Sequence, residues 1–173
     1  MASTSARAAR YPLAGKVVLI TGAGRGLGAA TAAAVSARGA KVVIADIRQD
    51  HLDEARQKLE KAGREVLAVK LDISDAKAYR RAADKVEKAL GPVQLLFNTA
   101  GVSQFGPMQD ATREDWEWQI NVNLWGMINC TRAVLDGTPT MPASVRWRIL
   151  GHLAYTALHL GDRVALDGAI DAM

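Results

Sequence analysis

The chain has 173 residues, 49% of them hydrophobic and 23% charged, with a formal net charge of +4. That is enough apolar material for one domain with a core of its own, and no apolar run approaches the length of a membrane span. A single cysteine, Cys130, excludes an internal disulfide framework and suits a reducing cytoplasm, the expected compartment.

The positive balance raises nucleic acid as a partner, and the patterning argues against it. Basic and acidic residues alternate through "DHLDEARQKLEKAG" and "DAKAYRRAADKVEKAL", as on the solvated face of amphipathic helices, with no phosphate-tracking stripe. Neither nucleic acid nor membrane is expected as a partner.

Taken in order, the chain opens on "MASTSARAAR", which is small, basic and free of acids, and residues 1–13 read as a flexible leader. "KVVLIT" (16–21) is a short β-branched strand. "GAATAAAVSARGA" is helical and closes at Gly39. "KVVIAD" (41–46) is a second strand, 50–62 a helix stopping at Gly63, and "EVLAVKLD" (65–72) a third strand. Ser74 or Asp75 caps a helix running to about Leu90, which ends at Gly91-Pro92. "VQLLFN" (93–98) is a fourth strand, and residues 111–135 form one long helix capped by Thr112 with Asp115. Strands apolar along their whole length, each separated by a helix, predict an α/β fold: a Rossmann-like, doubly wound parallel sheet over residues 14–135.

The rhythm fails after Leu135. "DGTPTMP" is a turn cluster, and the residues beyond it fit two patterns. Val145, Trp147 and Ile149 alternate with arginines as in a strand, while Val145, Ile149, Leu153, Ala157 and Leu158 make a helical stripe. Residues 136–173 are therefore an atypical, irregular or helical tail. The sheet is expected to be truncated after its fourth strand and the helix behind it. That leaves an edge and an apolar helix face that favour oligomers or aggregation.

Gly22, Gly24, Gly26 and Gly28 stand at every second position where the first strand meets the first helix. Each costs conformational entropy, so the loop needs a reason. Gly24, Gly26 and Ala29 satisfy G-x-G-x-x-G/A, a spacing that fits a pyrophosphate cradle at a helix N-terminus but also a tight turn with close helix–sheet packing. Asp46 ends the second strand about 20 residues on, where a carboxylate accepts from the ribose hydroxyls of an adenosine. Asp46 disfavours the 2′-phosphate of NADP, whereas Arg25 and Arg48 would pair with it. The carboxylate is the group placed to touch the hydroxyls, so NAD is expected ahead of NADP.

The loop "TGAGRGLG" is similar to the T-G-x-x-x-G-x-G loop of the short-chain dehydrogenase/reductase family, matched by Thr21, Gly22, Gly26 and Gly28. "LDIS" resembles its adenine-contacting pair, here Asp72 and Ile73. "NTAG" resembles its N-N-A-G turn through Asn98, Ala100 and Gly101, with Thr99 in place of the second Asn. "INVNLWG" resembles the helix that carries its catalytic Asn, which maps to Asn123, with Asn121 on another face. With Gly24, Arg25, Leu27 and Asp46 these residues make up the cofactor set that the resemblance implies. Taken singly, Asp72 also reads as a turn cap and Asn98 as a turn residue, whereas Asn123 sits in mid-helix, where Asn competes with the backbone. Trp116, Trp118 and Trp125 read as core or interface residues.

The resemblance implies hydride transfer between a nicotinamide and a secondary alcohol or ketone. In that mechanism a Tyr moves the proton, a Lys four residues later lowers its pKa, a Ser orients the carbonyl and the Asn holds a relay water. The chain has no Tyr-x-x-x-Lys, and no lysine comes after Lys88. Tyr155, with His159 four residues on and Ser144 upstream, is a weak substitute, because a neutral imidazole does little for a phenol near pKa 10. Two expectations stand: an oxidoreductase of this type, or a catalytically silent dinucleotide-binding module or truncated product. No metal site is expected.

Overall fold

The computed structural model describes residues 12–136, so residues 1–11 of the expected leader and the tail with Ser144, Tyr155 and His159 lie outside the described residues, whereas Leu13, expected in the leader, is buried in the core. Within that range the predicted alternation is present: β1 (Val17–Thr21), α1 (Gly26–Ala37), β2 (Lys41–Asp46), α2 (Gln49–Lys61), β3 (Val66–Lys70), α3 (Ala76–Leu90) and β4 (Leu95–Asn98). The strands form one parallel sheet in the order β3-β2-β1-β4. Ile20 at the centre pairs with Ile44 on one side and Phe97 on the other.

The pleat sends alternate residues to opposite faces, and both faces are covered. Val17 and Leu19 of β1 join one apolar layer with Tyr79 and Val86 of α3 and Cys130 and Val134 further on. Val18 and Ile20 join the other, with Ala32 and Val35 of α1 and Leu52 and Leu59 of α2. This is why the strands lack the polar alternation of a half-exposed sheet. The connections run from β1 to β2 and β3 on one side, then cross to β4 on the other. The strand order therefore reverses between β1 and β4, and a crevice opens at their C-terminal ends.

Local signals set the element ends. Gly39, Gly63 and Gly91 come after α1, α2 and α3 with φ of +82°, +70° and +92°. Of the two candidate caps for α3 the structure uses Asp75, which accepts from the N–H groups of Ala78 at 3.0 Å and Lys77 at 2.9 Å. Those bonds hold its carboxyl below the usual carboxylate range. Thr112 and Asp115 form a reciprocal capping box at the start of α4 (Arg113–Ile120).

The expected single helix over 111–135 is a composite rod. α4 is followed by a π-helical segment, Asn121–Gly126, and then by α5 (Met127–Asp136). Two contacts accompany the wider turns. Asn123 reaches across to the backbone of Val102, and Gly126 lies so close to Ile73 that a Cβ there would stand 2.7 Å from its side chain. Among the described residues no helix is long and apolar enough to cross a membrane.

Cys130 is fully buried between α5 and α3, beside Tyr79, and burial holds its thiol well above the usual range. Since the thiolate is the nucleophile, the native protein is expected not to react with an aromatic disulfide reagent at pH 8 and to react at once in denaturant. Rapid labelling of the native protein would show instead that the α3–α5 contact opens readily.

Candidate functional site

A cavity of about 870 Å³ lies over the crevice at the C-terminal ends of β1, β2, β3 and β4. It is lined by the glycine loop, by Asp46 and its neighbours, by Leu71 to Ser74 after β3, by Thr99 to Val102 after β4, and by one side of α4. Ten residues of the cofactor set that the resemblance implies meet there: Gly22, Arg25, Gly26, Leu27, Gly28, Asp46, Asp72, Ile73, Ala100 and Gly101.

The glycines of the loop divide the work. Gly22 (φ +65°) passes so near the turn after β4 that a Cβ would fall 2.6 Å from Ala100 Cα. At Gly28 a Cβ would press on the Gly22 carbonyl and fall 2.8 Å from Ala23 Cα. These two pack the loop. Gly26 (φ +56°) is different: a Cβ there meets nothing within 4 Å, because it would project into open space. α1 starts at this residue with no side-chain cap and no acid in its first turn, so its leading N–H groups and positive dipole end are left for an anion.

Asp46 stands beside that helix end. One carboxylate oxygen accepts from the Gly24 N–H at 2.9 Å and the other from the Arg48 N–H at 3.0 Å. Gly24 is thereby part of the wall rather than the lining, since a Cβ on it would fall 2.8 Å from the carboxylate. The Arg48 guanidinium pairs with Asp50, at 3.0 Å from Nε and 2.5 Å from Nη2. That pairing raises the Arg48 pKa and holds the Asp50 carboxyl well below the usual range. Both arginines weighed against Asp46 line the cavity, Arg48 engaged with Asp50 and Arg25 exposed.

Three of the singled-out residues, Thr21, Asn98 and Asn123, stand behind the lining, and Thr99 within it is bonded to the first of them. Thr21 is buried, its hydroxyl donating to the Phe97 carbonyl and accepting from the Ala100 N–H, both at 3.4 Å. Thr99 donates to the Thr21 carbonyl, so the residue that departs from the family turn ties β4 to β1. Asn98 is buried at the end of β4, and its side-chain amide has no hydrogen-bond partner among the described residues. Asn123 grips Val102 with both ends of its amide, Oδ1 accepting from the N–H at 2.9 Å and Nδ2 donating to the carbonyl at 2.8 Å. Its side chain braces the segment after β4 rather than lining the cavity.

Asp72 caps its turn, accepting from the Ser74 N–H and hydroxyl at 2.9 and 2.7 Å, and also lines the cavity. Trp116, Trp118 and Trp125 are not core residues; they are 42%, 45% and 52% exposed, and of the three Trp118 lines the cavity. Sequence reasoning missed Ile47, His51 and Trp118 as lining residues. Ile47 had a signal, its place next to Asp46. The other two are brought in by the courses of α2 and α4.

A crevice at the reversal point of a parallel sheet, with an uncapped helix N-terminus and a carboxylate at the next strand end, is one geometry shared by many chains. The sequence match decides between them: the short chain dehydrogenase family covers residues 16–144. The chain belongs to the short-chain dehydrogenase family. It is 42% identical over 132 residues to a C alpha-dehydrogenase of Sphingobium sp., an alignment covering 76% of this chain and 42% of that protein. Among solved structures it is similar to apo LigO from Sphingobium sp. strain SYK-6 (48% identity, TM-score 0.67, 73% of this chain and 47% of that one). It is similar also to a short chain dehydrogenase/reductase from Burkholderia phymatum in complex with NAD (36% identity, TM-score 0.71, 73% and 45%). The chain spans less than half the length of each of these three proteins.

Proposed function

We propose that this chain is the cofactor-holding part of a cytoplasmic, nicotinamide-dependent oxidoreductase, and that it takes NAD in preference to NADP. The observation that carries the reading is the pairing of Gly26, open to the cavity at the uncapped start of α1, with the Asp46 carboxylate held at its side. In this reading the pyrophosphate lies against the N–H groups of Gly26, Leu27 and Gly28, and the adenosine ribose donates its hydroxyls to Asp46. Thr99 to Gly101 form the floor beyond the loop, kept in place by the bonds among Thr21, Thr99 and Ala100. Asn123 holds Val102, and through it the segment that borders the reacting end. The dinucleotide supplies a hydride acceptor or donor for a secondary alcohol or ketone.

The choice of NAD rests on charge. A 2′-phosphate would approach the Asp46 carboxylate, and the Arg48 guanidinium that would offset it is paired with Asp50. In calorimetric titrations of the full chain, NAD is expected to bind at least tenfold more tightly than NADP, and Asp46→Ala to narrow or reverse that difference. Equal affinities in the unmodified protein would overturn the placement of Asp46 at the ribose.

A further inference from the structure

Trp118 is 45% exposed, an unusual setting for a large aromatic ring on a helix whose neighbouring positions are charged. Unlike the comparably exposed Trp116 and Trp125, it lines the cavity. We propose that Trp118 is the stacking wall for the purine base of the bound dinucleotide. The inference rests on the reading of the cavity given above and extends it to the base.

The position of Trp118 is set by its rod. Gly126 touches Ile73, and Val122 and Trp118 lie at four-residue steps from it toward the N-terminus, so this line of the rod passes over the segment after β3. The adjacent line carries Asn123 and Gln119, which bond the backbones of Val102 and Gln104 on the β4 side. Trp118 therefore faces the β3 end of the cavity, not the end bordered by Val102. A dinucleotide whose phosphates meet α1 and whose ribose meets Asp46 has its base beyond Asp46, on the β2–β3 side. The surfaces there are apolar: Ile73 and Ile47, the latter 57% exposed and also part of the lining. A flat base needs apolar faces above and below it with polar groups at its edge. Trp118 and the isoleucines supply faces, and Asp72 and Ser74 supply edge groups.

Titrations of ADP, NAD and nicotinamide mononucleotide into the full chain test this. Trp118→Ala is expected to weaken ADP and NAD by the same factor, on the order of tenfold. It should leave nicotinamide mononucleotide unchanged. Trp118→Phe should restore most of the loss, and Trp116→Ala should lose nothing. Wild-type affinity for ADP in Trp118→Ala overturns the proposal, as does an equal loss in Trp116→Ala, which would point to general destabilisation. If the unmodified chain binds neither ADP nor NAD, the reading of the cavity falls and this proposal with it.

Discussion

Replacing Gly28 with valine is expected to abolish dinucleotide binding and to lower the melting temperature by roughly 10 °C. A Cβ at this position meets main chain, the Gly22 carbonyl and Ala23 Cα, and neither can step aside as a side-chain tip would. Relief requires moving the start of α1 away from Gly22 and Ala23, which displaces the N–H groups of α1. Because that lesion mixes folding with binding, Gly26 is the sharper probe. A valine there would incur the strain of its positive φ, about 1–2 kcal/mol, and would meet no neighbour within 4 Å. Its branches would instead occupy the space before the α1 N-terminus. Gly63→Ala is the control: φ is again positive and space again open, but far from the cavity. Melting curves of Gly26→Val and Gly63→Ala should show similar losses, while only Gly26→Val loses NAD in calorimetry. If Gly26→Val binds NAD as the unmodified protein does, the loop is a turn and nothing more.

Turnover is expected to be low, and this runs against the family to which the chain belongs. Proton transfer by a positioned group is worth about 100- to 10,000-fold in rate. The resemblance assigns it to a tyrosine backed by a lysine, whereas this chain has no lysine after Lys88 and only His159 four residues beyond Tyr155. The same lysine would hold the nicotinamide ribose, so hydride geometry suffers as well. The 173-residue chain is thus expected to bind NAD while oxidising a panel of secondary alcohols at or near the rate of a blank, followed by NADH absorbance. A rate well above the blank, removed by Tyr155→Phe, would show that residues beyond Asp136 complete a catalytic site of another kind.

The parts of this molecule legible in the sequence are those fixed by near neighbours. Short apolar runs with helices between them give a parallel sheet because no other packing covers both faces. Asp75 and Thr112 announce their helices, since a cap acts two or three residues away. Gly26 and Asp46 are legible as a pair because strand, turn and helix fix their separation. The illegible parts depend on elements meeting across the fold. Trp118 looks like a core or interface residue because periodicity says which residues share a helix face and not what that face meets. Asn123 is legible for its chemistry, and its hold on Val102 depends on how the rod lies over the β4 loop. The π turns are invisible for a related reason. A hydrophobic stripe is too coarse to tell an α turn from one that is slightly wider.

Those wider turns have a consequence for the phase of the rod. Each residue of an α-helix advances about 100° around the axis, and the Asn121–Gly126 segment advances less per residue, so it acts as an angular offset between its two halves. The offset lets one continuous helix point Trp118 at the cavity, Asn123 at Val102, and Cys130 and Val134 into the sheet layer. Giving all six residues of the segment ordinary α winding would rotate α5 against its core by about a quarter turn, a rotation that deleting one of them would cancel. Its length is therefore set by two clients at once, the cavity before it and the core behind it, and neither can drift without the other.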